Sequence, residues 1–159
     1  MGNGESGAGP ITIGRRENRT FAVQCLYSYD ISPLIRWEEH WAGQLEALDL
    51  PERSLSYARQ LVEGTVANLF EINGLLAKFL DNWSLDRVQR VSLAILRVAV
   101  YELLYGKNIP KAVVINEAIE LTKLYGGPDS KRIVNGLLDR IRRHLEEQAV
   151  EKSETPSSE

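Results

Sequence analysis

Cysteine, histidine and methionine are scarce in this chain of 159 residues, which holds one cysteine, two histidines and one methionine. A single cysteine cannot form an internal disulfide, and a metal site built from Cys and His side chains lacks the ligands that it needs. We therefore predict no metal, no cofactor and a reducing compartment. Cys25 stands among apolar helical residues, where a thiol usually behaves as a small core side chain, so we predict no catalytic residue.

Long apolar runs and stretches of alternating apolar and polar residues are missing as well. The most apolar stretch, Val88 to Tyr105, is interrupted by charged residues and is too short for a membrane span of about 20 residues. No secretory signal pattern is recognisable, so we predict a cytoplasmic protein. The lack of period-two patterning favours an all-α fold, a compact bundle of about six or seven helices.

The chain also lacks a large excess of charge of one sign. Its positive and negative side chains nearly balance, with a formal net charge of −3. The segment after His144 carries five acids and one lysine, so the rest of the chain is close to neutral. Any nucleic-acid role must therefore depend on local basic patches.

Composition divides the chain into a glycine-rich tail predicted to be disordered (1–14), one helical domain (15–145) and an acidic tail rich in Ser and Glu (146–159).

The stretch Val88 to Tyr105 has apolar residues on two sides, which predicts a central helix buried all round. The first helix is predicted from Arg15 onwards, with one apolar face. Apolar spacing and breaker residues predict the remaining helices: an amphipathic one over Leu34–Leu48, one long helix from Pro51 to Phe79, one over Lys111–Tyr125, and a last one opened by Pro128-Asp129-Ser130.

Basic residues cluster at the predicted start of the first helix, where Arg15, Arg16 and Arg19 share the polar side. A helix start already carries partial positive charge, so cations there are unfavourable and an anionic ligand would relieve the conflict. A solvated polar face shielded by Glu17 is the alternative, and the pattern leaves both open.

The last helix repeats this placement, because Lys131 and Arg132 lie at its start. By contrast, the three arginines between 140 and 143 are predicted to lie in its last turns, where they would complement the helix dipole. A bundle can bring the two basic helix starts side by side, which would create one anion-binding surface.

Three segments together resemble a known family. They are RRENRTFAVQCLY (15–27), ILRVAVYELLY (95–105), and NIPKAVVINEAIELTKLYG continuing through PDSKRIVNGLLD (108–139). Over residues 15–141 the chain resembles the NusB family of bacterial transcription antitermination factors. The resemblance implies a NusB-like helical bundle and a non-enzymatic adaptor. Such an adaptor binds the single-stranded boxA element of nascent ribosomal RNA leaders together with ribosomal protein NusE.

The resemblance also implies which partners and residues are involved. Other Nus factors and RNA polymerase would be indirect partners, no membrane would be involved, and a homodimer is left open. Glu17 departs from the family pattern, where relatives often carry a basic residue. The implied RNA-binding residues are Arg15, Arg16, Arg19, Tyr125, Asp129, Lys131 and Arg132, and the implied surface for NusE includes Tyr27, Ile31, Asp86 and Ser92.

Two other interpretations fit parts of the sequence. Similar helical domains are fused to ribosomal RNA cytosine methyltransferases, but no cofactor-binding α/β region follows residue 145 in this sequence. A helical protein that associates with itself through apolar faces, without RNA, is the other alternative.

Overall fold

Every regular element in the computed structural model, which describes residues 13–80 and 85–154, is helical. This confirms the predicted all-α class and the expected number of helices. Two 3₁₀ turns, Glu52–Leu55 and Leu85–Arg87, lie between them. The helices of the described residues are α1 (Arg15–Ile31), α2 (Trp37–Glu46), α3 (Ser56–Ala67), α4 (Leu69–Phe79), α5 (Arg90–Tyr105), α6 (Lys111–Tyr125) and α7 (Pro128–Glu154).

Helix α5 is the centre of the bundle, as its two apolar sides predict. Helices α1, α3, α4, α6 and α7 all pack against it, and most of its side chains are buried. It begins at Arg90 because the residues before it form a 3₁₀ turn. No helix in the described ranges is long and apolar enough to cross a membrane.

The chain departs from the predicted pattern in its first half. A single helix was predicted from Pro51 to Phe79, but it is broken at Asn68, whose side-chain amide donates to the Gly64 carbonyl over 2.7 Å. An asparagine amide competes in this way with the backbone and interrupts a helix. Leu34 was predicted on the apolar face of the second helix. It is instead fully exposed, in a turn before α2.

The last helix is longer than predicted and runs to Glu154, so residues 146–154 of the predicted acidic tail are helical. The prediction that Arg140, Arg142 and Arg143 lie in its last turns is wrong. All three lie near its middle, where Asp139 pairs with Arg142 and Arg143 and Glu146 pairs with Arg142. Residues 1–12, most of the predicted disordered tail, and 155–159 lie outside the described residues. The domain boundaries stay a prediction.

Cys25 is completely buried on α1. Burial penalises the thiolate and raises the pKa of this thiol to about 12. The thiol therefore stays protonated at neutral pH, as expected for a core cysteine.

Helices α3 and α5 pack closely against each other at Gly64. A Cβ atom added to Gly64 would lie 2.1 Å from Cζ of Tyr101, well inside van der Waals contact. The ring of Tyr101 can lie over α3 only because residue 64 has no side chain. Gly74 on α4 has no such neighbour, since nothing lies within 4 Å of its added Cβ.

These two glycines give a matched pair for a stability test. Gly64→Ala should lower the free energy of unfolding by about 1–3 kcal/mol, because the ring of Tyr101 must move. Gly74→Ala should raise it by about 0.5–1 kcal/mol, because alanine favours a helix interior. Urea titrations followed by circular dichroism measure both, and equal effects at the two sites would contradict the packing described.

Candidate nucleic-acid interface

A buried ion pair joins the start of α1 to the end of α5. Arg19 and Glu102 are 5% and 4% exposed, and the guanidinium donates from Nε to Oε1 over 2.8 Å and from Nη2 to Oε2 over 2.9 Å. The hydroxyl of Tyr57, on α3, donates to the same carboxylate. Arg19 therefore lies inside the bundle, and the prediction that it shares an exposed polar side with Arg15 and Arg16 is wrong.

The pKa values of this cluster follow from burial and from charge. Burial by itself lowers the pKa of Arg19, but its hydrogen bond to Glu102 and the charge of that carboxylate outweigh burial, and the pKa is raised. Burial, reinforced by the hydrogen bond to Glu102, raises the pKa of Tyr57 to about 12. Arg19 stays charged and Tyr57 stays protonated at neutral pH.

Arg16 forms a second bidentate ion pair, with Glu117 of α6. Its Nε donates to Oε1 over 2.9 Å and its Nη2 to Oε2 over 2.8 Å, while its side chain is 55% exposed. The hydrogen bond from Arg16 lowers the pKa of Glu117. The conflict between arginines and the α1 dipole is thus relieved by carboxylates of α5 and α6. Sequence reasoning missed both acids, because only the tertiary fold brings them to α1.

Arg15 is the cation of this cluster that has no ion pair among the described residues. Its guanidinium lies over the ring of Tyr57, with Cζ 3.9 Å from the ring centroid. Arg15 and Arg16 border a shallow groove of about 390 Å³ between the start of α1 and the start of α6. This groove is the first candidate contact for an anion.

The second basic cluster lies at the start of α7. Asp129, Lys131 and Arg132 are exposed, and neither cation pairs with any described residue. Tyr125, at the end of α6, is 43% exposed. Ser130 turns inward, where its hydroxyl donates to Oε1 of Gln89 over 3.0 Å. This end of the bundle therefore combines free cations with an exposed aromatic ring.

The two clusters are not side by side, contrary to the sequence expectation. The first is tied to Glu102 near the end of α5, whereas the second is tied to Gln89 immediately before its start. At 1.5 Å per residue these positions are about 20 Å apart along α5. Helix α6 spans the distance, since Glu117 meets α1 and Tyr125 lies close to α7. Its exposed side between them carries Asn116 and Lys123.

The residues predicted to face a protein partner are divided by the structure. Tyr27 and Ile31, near the end of α1, are exposed, as is Asp86 in the 3₁₀ turn before α5. Ser92 is only 2% exposed and lies beneath the surface, and its hydroxyl has no hydrogen-bond partner among the described residues. Leu34, which sequence reasoning assigned to the core, is also exposed and follows Ile31 by three residues along the chain.

Comparison with known proteins gives consistent matches over most of the chain. Residues 16–143 match the NusB family. The transcription antitermination protein NusB of Geotalea uraniireducens is 46% identical over 134 residues, which cover 80% of this chain and 92% of that protein. Among solved structures, T. maritima NusB has a TM-score of 0.76 at 36% identity, covering 84% of this chain and 93% of that one.

A further solved structure is described as the antitermination factors NusB and NusE in complex with double-stranded RNA. It has a TM-score of 0.73 at 27% identity and covers 82% of this chain and 96% of the matched one. Fold and sequence thus define an all-helical transcription antitermination factor. The chain belongs to the NusB family.

The two arginine pairs differ in burial, and this predicts different effects on stability. Arg19→Met should lower the free energy of unfolding by about 3 kcal/mol or more, because it leaves the Glu102 charge buried without its partner. The exposed Arg16→Met variant should lose much less. Chemical denaturation measures both losses.

A double variant serves as the control for the buried pair. Arg19→Met combined with Glu102→Leu should regain much of the lost stability, because no buried charge remains. A double variant less stable than Arg19→Met alone would show that the damage arises from packing.

Proposed function

We propose that this protein is a non-enzymatic RNA-binding adaptor of transcription antitermination. It binds the single-stranded boxA element of nascent ribosomal RNA leaders together with ribosomal protein NusE, and so supports processive transcription of ribosomal RNA. The observation that carries the proposal is the cluster of unpaired cations and exposed tyrosine at the start of α7. The NusB–NusE–RNA structure with the same fold supports it.

The start of α7 supplies the stronger half of the proposed RNA surface. Lys131 and Arg132 have no carboxylate partner among the described residues, so a phosphate meets them without displacing an internal bond. Tyr125 offers a ring face on which an unpaired base stacks, and single-stranded RNA is usually bound by this combination of stacking and charge. Asp129 accepts hydrogen bonds from base edges.

The start of α1 supplies the other half of the proposed RNA surface, and its two exposed arginines differ in whether they already form an ion pair. Arg15 is free of ion pairs, whereas Arg16 already holds the carboxylate of Glu117. A phosphate must share or displace that carboxylate. Arg19 acts indirectly, since its buried pair with Glu102 fixes the helix turn that carries the two exposed arginines.

An RNA strand that contacts both halves follows the exposed side of α6 for about 20 Å. With four or five phosphate contacts, the logarithm of the binding constant should fall with the logarithm of salt concentration with a slope of about −3. This modest electrostatic contribution favours an adaptor whose affinity for RNA increases when a second protein binds the same strand.

The proposed NusE surface is the exposed apolar patch at the end of α1, with Asp86 beside the start of α5. Tyr27, Ile31 and Leu34 expose apolar area that a protein partner can bury. Arg90 and Arg97 both pair with Asp30 and hold the end of α1 against α5. Ser92 is buried and lines the cavity between α5 and the start of α7 beside Gln89 and Ser130, so it offers no contact on this surface.

The proposed RNA surface predicts the effect of two substitutions. Arg16→Ala and Lys131→Ala should each lower the affinity for a boxA-like single strand several-fold, because each removes a phosphate contact. Lys78→Ala on α4 is the control, since it removes an exposed cation that lies outside both clusters. Gel-shift or anisotropy titrations, with circular dichroism to verify folding, measure the effects. Unchanged binding in both variants would refute this surface.

The pairing of Arg16 with Glu117 predicts that one substitution increases the affinity for RNA. Glu117→Gln should raise RNA affinity several-fold, because it frees the Arg16 guanidinium from an internal competitor. Glu63→Gln on α3 is the matched control, because it likewise removes one carboxylate from an arginine, Arg59, but at a site outside both clusters. Equal gains in the two variants would indicate a general charge effect and contradict the competition.

A further inference from the structure

A second cleft opens on the far side of Arg15, away from α6. It has a volume of about 530 Å³ and lies between α3, the end of α5 and the segment that follows α5. Its lining includes Tyr57 and Gln60 from α3, Tyr101 and Tyr105 from α5, and Lys107. Arg15 and Ile109 line both this cleft and the groove that holds Arg16, so the two are adjacent.

Planar groups stand on both sides of the cleft. The guanidinium of Arg15 is stacked 3.9 Å from the centroid of the Tyr57 ring. On the α5 side, the rings of Tyr101 and Tyr105 lie 5.4 Å apart between centroids with a 40° tilt. Nucleobases stack on tyrosine rings and on arginine guanidinium planes. The cleft thus presents flat surfaces already fixed by packing against their neighbours.

The charges of the cleft suit a phosphorylated ligand. Glu102 lies at its base but is neutralised by the two-pronged bond from Arg19. The remaining charged groups are the cations Arg15 and Lys107, and no described residue forms an ion pair with either. The amide of Gln60 is exposed and has no described hydrogen-bond partner, so it can donate to and accept from a base edge.

We propose that this cleft binds one nucleotide unit, an aromatic base with its phosphate. The base lies between the Arg15–Tyr57 stack and the tyrosines of α5, and the phosphate meets Lys107. A volume of about 530 Å³ is within the range of small-molecule sites and accommodates one nucleotide. The inference rests on the proposed function, because a strand bound at Arg16 continues past Arg15 into the cleft.

The test combines removal of single bases with removal of the Arg15 plane. A boxA-like RNA and its extensions at either end are synthesised with one abasic ribose at each position in turn, and binding is measured for the wild type and for Arg15→Lys. Lysine keeps the charge but has no plane for stacking. Stacking of one base is worth about tenfold in affinity. At one position the missing base should therefore weaken wild-type binding about tenfold and Arg15→Lys binding far less.

Two further variants test the cleft itself. Tyr105→Leu, at an exposed position, should reproduce the loss of base dependence at that same position. Lys107→Ala should weaken binding of every RNA that reaches the cleft by a similar factor, because it removes a phosphate contact. Lys78→Arg is the control that preserves charge outside the cleft.

The outcomes separate this proposal from the proposed function. If Arg16→Ala weakens RNA binding but base removal costs the same in wild type and Arg15→Lys at every position, the cleft proposal is overturned and the RNA-binding function stands. If the wild type binds no RNA, the proposed function fails. Titration with AMP and UMP then decides: saturable binding lost in Tyr105→Leu assigns the cleft to free nucleotides, and no binding overturns the cleft proposal.

Discussion

The buried pair between Arg19 and Glu102 is the interaction on which the basic end of this protein depends. It connects α1 to α5, and the hydroxyl of Tyr57 adds α3 to the same carboxylate. Asn18, beside it, accepts from the backbone amide of Ala58 over 2.9 Å and donates to the Ser54 carbonyl over 3.2 Å. Two charges buried away from water must stay paired, because either one left alone would strongly destabilise the fold. The first turn of α1 is therefore fixed relative to its neighbours.

That fixed position explains why the two basic clusters differ. With α1 held in place, Arg16 reaches Glu117, and Arg15 stacks on Tyr57. The cations at the start of α7 have no such partners among the described residues. A phosphate therefore competes with the protein at α1, but only with water at α7. The proposed RNA surface thus has free cations at the start of α7 and, at the start of α1, an arginine that an internal carboxylate already occupies.

Much of the fold follows from the sequence, because apolar spacing reports burial directly. The two apolar sides of α5 predict its central position, and Gly126-Gly127 marks the end of α6 correctly. The break at Asn68 was missed because it depends on a side-chain bond to Gly64 that competes with helical spacing. For the candidate site, the sequence identifies the basic helix starts but places Arg19 on the surface. Its partner Glu102 is 83 residues away and becomes its neighbour only in the folded chain.

The most direct test of the adaptor function is the affinity for RNA with and without the second protein. Labelled boxA RNA, and a duplex of the same sequence, are titrated with this protein alone and with the ribosomal protein NusE present at saturation. Weak binding alone, a large gain with NusE and a preference for the single strand are the predicted results. Tight binding that NusE does not change, or no binding in either condition, would contradict the adaptor function.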